Sequence, residues 1–337
     1  MIRTGIIAAA AAAVLGHAGT ATAADRLVLQ LKWVPQAQFA GYYVAAEKGF
    51  YGQAGLDVEI KAGGPDNSPP QVIAGGGADV IVDWMPSALA VRERGVKLVN
   101  IAQVFRDSGL RLVCRKDAGI TGPQDFRGKT IATWFAGNEY PFLAWMSRLG
   151  FSTSGPDPDI RVMRQGFNID PLLTREAACI AGMSYNEGYQ IPAAGLRDED
   201  LIWFSYEDAG VATLEDGLYV LESTLADPAM ADRLARFIAA SMKGWRYAID
   251  HQDEAVKIVL DQDITGLMDA GYQHFMMAGV ARLVEPAGAE GLVGVLDPAA
   301  YERTVGVLLS GGSDPVITRH PEGAWSHAVT DAAAGLR

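Results

Sequence analysis

Short apolar runs alternate with helical patterns along most of the chain. Runs rich in β-branched and aromatic residues predict strands at 27–31, 56–62, 78–84, 98–105, 110–115, 130–134, 160–165, 178–183, 201–205 and 217–221. Helical patterns between most of these strands cover 42–51, 69–74, 86–94, 140–149, 171–176 and 186–194. Strands that alternate with crossover helices pair in parallel, so the pattern predicts an α/β fold with mainly parallel sheets.

The pattern changes near residue 224. Asp227 and Pro228 open a long helix that continues to residue 250, with apolar residues at helical spacing. Further helices are predicted at 253–260, 265–282 and 298–309. The C-terminal third is therefore expected to be mostly helical.

The first predicted strand runs directly into a turn rich in aromatic and amide side chains. Trp33 precedes a turn of Pro and Gln residues, and Tyr42 lies on the following helix. Because open α/β sheets bind ligands outside the carboxyl ends of their strands, both rings are candidates for stacking on a flat ligand. Core packing is the alternative for each, and Tyr43 is the alternative inward-facing ring. Gln36 and Gln38 either bond ring nitrogens of the ligand or belong to a solvated turn.

An acid and an aromatic residue end another apolar strand. Asp83 either accepts a hydrogen bond from a ligand amine or caps the helix that begins near Pro86, and Trp84 is a further candidate ring. Residues 74–86 and 176–187 share the order of an apolar strand, an aromatic residue and polar groups at a helix start. Two such units indicate two α/β lobes that face each other across a cleft.

The second unit carries Tyr185, Asn186 and Glu187, which combine a ring, an amide and a carboxylate. This set suits the donor and acceptor edge of an aminopyrimidine-like ligand, although a helix dipole also favours a carboxylate in the first turn. Asn138 and Glu139 follow a further strand, where the backbone N–H groups of a helix start can hold an acceptor or an anion. Asn138 is equally suited to cap that helix.

The N-terminus has the pattern of a secretory signal peptide. Arg3 precedes an apolar stretch over 5–15, and Ala21-Thr22-Ala23 forms a cleavage site. We therefore expect residues 1–23 to be a signal peptide that is removed after Ala23, and the protein to be periplasmic. The formal net charge of −12 argues against a nucleic-acid partner, because phosphate binding needs a basic surface.

The two cysteines, Cys114 and Cys179, both lie in apolar, strand-like runs. That setting favours buried free thiols, while an oxidising compartment permits a disulfide. The histidines lack the spacing of metal ligands, and motifs for nucleotide binding or a nucleophilic serine are not found. We therefore expect no metal, no cofactor and no catalytic residue.

The order of these segments resembles the type II periplasmic solute-binding proteins of ABC importers. The resemblance rests on residues 33–51, 78–86, 134–142, 184–187 and 243–248. Within that group the chain is similar to the branch that binds thiamine pyrimidine precursors, sulfonates and riboflavin. The resemblance implies two lobes joined by hinges near 110–114 and 206–213. Lobe 1 would then comprise 24–112 and 213–337, and lobe 2 would comprise 113–212.

The same resemblance implies a monomeric, non-catalytic receptor that closes on a small-molecule ligand and docks on a membrane permease. Aromatic, acidic and amide groups favour a neutral or cationic heteroaromatic ligand, and the resemblance implies a thiamine pyrimidine precursor such as a formylaminopyrimidine or a hydroxymethylpyrimidine. Riboflavin and an alkanesulfonate or nitrate are alternatives, the anions because Arg106 and Ser108 lie near a hinge. A thiamine pyrimidine synthase is similar in fold, but its Cys-rich iron segment has no match here. A sensor that hands its ligand to a signalling partner is the third alternative.

Overall fold

The computed structural model describes residues 24–166, 168–263, 266, 269–289, 291, 293–310 and 315–336. The predicted signal peptide lies outside these residues. The described strands are β1 (Asp25–Gln30), β2 (Leu56–Lys61), β3 (Val80–Asp83), β4 (Leu98–Gln103), β5 (Leu110–Arg115), β6 (Thr130–Thr133), β7 (Arg161–Arg164), β8 (Cys179–Met183), β9 (Leu201–Ser205) and β10 (Gly217–Leu221). Each predicted strand is present, and its ends shift by at most two residues.

The described α-helices are α1 (Ala40–Glu47), α2 (Phe50–Gln53), α3 (Pro69–Ala74), α4 (Met85–Glu93), α5 (Glu139–Arg148), α6 (Asp170–Leu173), α7 (Glu187–Ala193), α8 (Glu222–Leu225), α9 (Pro228–Asp250), α10 (Gln252–Leu260), α11 (Ala270–Val284), α12 (Pro298–Leu309) and α13 (Ala328–Ala334). The helix predicted over 42–51 is split into α1 and α2, because Gly49 adopts a left-handed conformation with φ of 68°. Part of the helix predicted over 265–282 lies outside the described residues. Within the described residues, no helix has the length and apolar character needed to cross a bilayer.

Two five-stranded sheets share one topology. The first sheet has the order β2-β1-β3-β10-β4, and the second has the order β7-β6-β8-β5-β9. In each sheet the strand in fourth place, β10 or β5, is antiparallel to both neighbours. The mainly parallel two-lobed α/β fold is thus confirmed. The carboxyl ends of the parallel strands and the amino end of the antiparallel strand meet at the same edge of each sheet.

The chain changes sheet twice, over residues 104–109 and 206–216. The second change includes the predicted hinge at 206–213. The first change lies before the predicted hinge at 110–114, because 110–115 forms β5, which is paired on both sides in the second sheet. Ladder hydrogen bonds on both edges fix that backbone, so it is unsuited to act as a hinge. The domain boundaries themselves stay a prediction.

Cys114 and Cys179 form a disulfide between β5 and β8. The two residues are directly opposite in the antiparallel ladder, with their Cα atoms 4.0 Å apart. The interpretation as free thiols is therefore wrong. It relied on the apolar surroundings of each cysteine, whereas the pairing depends on a strand register between residues far apart in sequence.

Helix α1 follows the first strand and is held by α9. An added Cβ at Gly244 would lie 2.2 Å from the carbonyl oxygen of Gly41, so glycine lets the two helices approach closely. Beside this crossing, Tyr42 meets Trp245 edge to face at 5.6 Å. The contact fixes α1 and the turn before it relative to the C-terminal helices.

Candidate ligand-binding cleft

An open cleft lies between the facing edges of the two sheets. Its first wall comes from the segments after β1 and β3 and consists of Lys32, Trp33, Gln36, Gln38 and Trp84. Its second wall comes from the segment after β6, from the end of β8 and from the segment after β8, and consists of Trp134, Phe135, Asn138, Met183, Tyr185, Asn186 and Glu187. Rings with a few convergent polar groups are the usual lining of a small-molecule site.

Asp216 holds the first wall together. It precedes β10, is almost fully buried, and accepts hydrogen bonds from Trp84 Nε1 at 2.9 Å and Gln38 Nε2 at 2.7 Å. The ammonium of Lys32 lies 2.9 Å from the same carboxylate and 3.7 Å from the centre of the Trp84 ring. Gln36 Nε2 in turn donates to Gln38 Oε1 at 2.5 Å. One carboxylate therefore fixes a cation, an indole and an amide at the base of the cleft.

The neighbouring residue, Glu215, joins the two connections between the sheets. Its Oε1 accepts from Ser108 Oγ at 2.6 Å and from the backbone N–H of Leu110 at 3.0 Å. Burial raises the pKa of Glu215 to about 7, although the Ser108 hydrogen bond and the charge of Lys32 oppose the rise. Residues 215 and 216 thus connect the base of the cleft to the crossovers.

The second wall presents its polar groups at the start of α7. Glu187 Oε2 accepts from the backbone N–H of Met183 at 2.7 Å, and its Oε1 accepts from Asn186 Nδ2 at 3.0 Å. Burial raises the pKa of Glu187 to about 7. The ring of Tyr185 packs edge to face on Phe105 at 6.0 Å. These contacts orient the ring, amide and carboxylate as one unit.

Two contacts join the second wall to helices α4 and α11, which lie outside the second sheet. Gly137 has φ of 116° and approaches α4 so closely that an added Cβ would lie 2.8 Å from Ser87 Cβ. Tyr272 of α11 donates its hydroxyl to Asn186 Oδ1 and accepts from Gln190 Nε2 at 3.0 Å. Helix α11 itself packs on α10 and on the turn after β1. The contacts hold the walls near each other around the cleft.

Most of the residues predicted for the site lie together in the cleft. The seven that line it are Trp33, Gln38, Trp84, Asn138, Tyr185, Asn186 and Glu187. Gln36 and Gln38 are both buried, so the alternative of a solvated turn is wrong. Whether these side chains contact a ligand stays a prediction.

Three predicted residues lie outside the cleft lining. Tyr42 is in the core against Trp245, because α9 covers that face of α1. Asp83 is the last residue of β3 and is not among the lining residues; its buried carboxylate accepts from Ser87 Oγ at 2.8 Å. Burial raises the pKa of Asp83 to about 7. The half-buried Glu139 folds back to accept from the backbone N–H of Gly137 at 2.7 Å.

Sequence reasoning missed several parts of the cleft. Lys32 lies next to Trp33, and its ammonium pairs with Asp216, which follows it by many residues. Trp134 and Phe135 follow β6 directly, and Trp134 Nε1 donates to the carbonyl of Gly166 at 2.9 Å. The rule that ligands bind at strand ends, applied to β6, could have found these two rings.

The similar sheets and the ring-lined cleft between them define a two-lobed solute-binding protein. The chain belongs to the NMT1/THI5-like family, whose model matches residues 36–255. A formylaminopyrimidine-binding protein from Halalkalibacterium halodurans is 24% identical over 252 residues, which are 73% of this chain and 74% of that protein.

Solved structures show the same fold. A protein from Candida albicans, described as having the generic periplasmic binding protein fold, matches with a TM-score of 0.65 and 15% identity over 90% of this chain and 96% of its own. The alkanesulfonate-binding protein SsuA from Xanthomonas axonopodis pv. citri, bound to MOPS, matches with a TM-score of 0.55 and 13% identity over 75% of this chain and 83% of its own. These likenesses show that the chain has the periplasmic binding protein fold.

Proposed function

We propose that this protein is the periplasmic substrate-binding component of an ABC importer and that its two lobes close on a small heteroaromatic solute. The observation that carries the proposal is the cleft itself. Trp33 and Trp84 on one wall face Tyr185, Asn186 and Glu187 on the other. A flat ring would be stacked by the aromatic side chains and read at its edges by the amides and the carboxylate.

The solute class follows from the polar groups of the cleft. Asp216 already pairs with Lys32, and the second wall adds a carboxylate, Glu187. Among the described lining residues, Lys32 is the one cation, and it is already neutralised by Asp216, so an anion would find no free positive charge there, whereas an amino group would meet Glu187. This supports a thiamine pyrimidine precursor such as a formylaminopyrimidine, the solute named for the relative from Halalkalibacterium halodurans. Riboflavin and an alkanesulfonate are the solutes to test against it.

Import proceeds by a shift between open and closed lobes. The solute must bind the closed form more tightly than the open form, and the closed form would then dock on a membrane permease. The contacts of Gly137 with Ser87 and of Tyr272 with Asn186 exist where the walls are close, so they would add to the stability of the closed form. We propose that the receptor acts as a monomer.

Isothermal titration against a panel of pyrimidines, flavins and alkanesulfonates tests the proposed solute. We expect tight binding of a formylaminopyrimidine, and a smaller radius of gyration in solution scattering once it is bound. Tight alkanesulfonate binding without binding of any heteroaromatic compound would contradict the proposed class. The protein should be unfolded and refolded first, so that co-purified solute does not mask the site.

The enzyme alternative has a separate test. Within the described residues, no cluster of His, Cys, Asp and Glu side chains could hold a metal ion. We propose that the protein catalyses no reaction. An absorbance spectrum of protein mixed with pyridoxal phosphate would overturn this if it showed an aldimine band that substitution of one lysine removes.

A further inference from the structure

Lys32 is a charged hydrogen-bond donor at the base of the cleft, and the protein uses only part of its donor capacity. Its side chain is 13% exposed and lines the cleft. Its ammonium lies 2.9 Å from Asp216 Oδ1 and sits over the ring of Trp84 at 3.7 Å. Among the described residues, Asp216 is the one acceptor paired with it. An ammonium carries three N–H donors, so two remain for whatever fills the cleft.

Closure of the cleft makes solute affinity depend on these two donors. When a solute displaces water, a donor without an acceptor loses its hydration and gains nothing in return. A solute with an oxygen acceptor beside Lys32 restores the bond in charge-assisted form, whereas one with a methyl group there does not. Sites built around a polar group discriminate most strongly against ligands that lack its partner.

The charges around Lys32 favour an uncharged acceptor over an anion. Asp216 pairs with the ammonium and already balances its charge. A carboxylate or sulfonate placed at Lys32 would therefore bring an unbalanced negative charge beside the carboxylate of Asp216. A carbonyl oxygen accepts from Lys32 without that penalty.

Glu187 supplies the complementary end of the site. Its carboxylate accepts hydrogen bonds from Met183 N, from Asn186 Nδ2 and from its own backbone N–H. A carboxylate has about four acceptor positions, so one remains open. An amino group on the solute would occupy it.

We infer that Lys32 binds a neutral carbonyl oxygen of the solute and that Glu187 binds an amino group on its opposite edge. The inference rests on the proposed function, because it assumes that the cleft takes a heteroaromatic ring. It narrows the solute to a dipolar ring with a carbonyl-bearing substituent. Lys32 is then the residue that separates a formylaminopyrimidine from a pyrimidine with an alkyl group at the same position.

Calorimetric titration with two pyrimidines tests the inference. The first is a formylaminopyrimidine, and the second is 4-amino-2,5-dimethylpyrimidine, which has a methyl group in place of the carbonyl substituent. We expect the intact protein to bind the first at least about tenfold more tightly, as for one hydrogen bond to a charged group. In the double variant Lys32→Met, Asp216→Asn, which removes the whole ion pair, the ratio should fall to within about twofold.

Three further variants complete the design. Lys32→Met alone should also bring the ratio of the two pyrimidine affinities to within about twofold. This single variant tests the inference if the double variant does not fold. Glu187→Gln should weaken both pyrimidines to a similar degree and leave the ratio intact, because both carry the amino group. Lys257→Met, at an exposed position of α10, is the matched control and should bind as the unchanged protein does. Circular dichroism confirms that each variant is folded.

The outcomes separate the inference from the proposed function. If a folded Lys32 variant keeps the tenfold preference, or if the unchanged protein binds both pyrimidines equally, the inference is wrong and the proposed function stands. If an alkanesulfonate binds and neither pyrimidine does, the proposed function is wrong and the inference falls with it.

Discussion

The two walls of the cleft are built in different ways. In the first wall, one buried carboxylate, Asp216, fixes Lys32, Trp84 and Gln38. In the second wall, Phe135 remains 41% exposed, and the backbone beyond it turns through two left-handed residues, Ala136 and Gly137. The first wall is therefore organised without a solute. We expect the second wall to complete its packing when a solute is bound.

The difference extends to what stabilises each sheet. The second sheet carries the Cys114–Cys179 disulfide between β5 and β8, whereas the first sheet is supported by the buried ion pair and by the close contact of α1 with α9. A covalent bridge does not depend on pH or solute, but a buried ion pair is strong only while both partners are present. The two sheets should therefore respond to different perturbations.

The largest expected effect is the loss of the disulfide. Its cysteines are separated by 65 residues, and closing a loop of this length in the unfolded chain corresponds to about 4 kcal/mol of stability. The double variant Cys114→Ala, Cys179→Ala should lower the free energy of unfolding by that order in urea titrations. Solute affinity should change little, because the bridge lies away from the cleft lining. Unchanged stability would contradict the pairing.

The next effect concerns the ion pair of the first wall. Asp216→Ala leaves Lys32 with no partner in a buried site and should destabilise the protein by about 3 kcal/mol. Asp216→Asn keeps an oxygen acceptor for Trp84 Nε1 and should be less harmful. Urea unfolding of both variants measures the difference. Equal and small losses for both would show that the first wall does not depend on the carboxylate.

A buried acid in the second wall, Glu187, gives a pH-dependent effect. The pKa of Glu187 is raised from 4.5 to about 7 by burial, so the folded protein keeps a proton that the unfolded chain loses. The contribution of this group to the free energy of unfolding is fully present below pH 4.5 and is lost as the pH rises to about 7. Glu187→Gln should therefore stabilise the protein more at pH 8 than at pH 5, by on the order of 2 kcal/mol.

Asp83 is the matched control in the first sheet. Its pKa is raised from 3.8 to about 7, also by burial, but it lies outside the cleft lining. Asp83→Asn should also stabilise the protein more at pH 8 than at pH 5, but it should leave solute affinity unchanged. Glu187→Gln should change both the stability and the solute affinity. If both variants weaken binding equally, Glu187 has no direct role in the site.

Substitution of Trp33 should have the smallest effect on folding among these variants and a clear effect on solute binding. Its ring lines the first wall and is only partly buried. Trp33→Ala should weaken solute binding by about tenfold, through lost stacking and burial, and should weaken folding much less. Phe135→Ala tests the same loss in the second wall. A Trp33 variant that melts early but binds with full affinity would assign this ring to the core.

Local patterns were sufficient for the strands and for most of the cleft, because strand ends can be read from the sequence. Tyr42 was misplaced because its neighbour, Trp245, belongs to a helix about two hundred residues later. The disulfide and the Lys32–Asp216 pair were missed for the same reason. Both join residues that become neighbours only through the order and pairing of the strands, which single-sequence patterns do not contain.

The order of the strands along the chain also governs how the protein reaches its fold. Strands β5 to β9 follow one another, so the second sheet can be completed as soon as they have been made. The first sheet needs β10 between β3 and β4, and until Gly217–Leu221 arrives both of those strands have an unpaired edge. Exposed strand edges pair readily with other chains. The unfinished first sheet is therefore the stage at which the protein depends most on protection from aggregation.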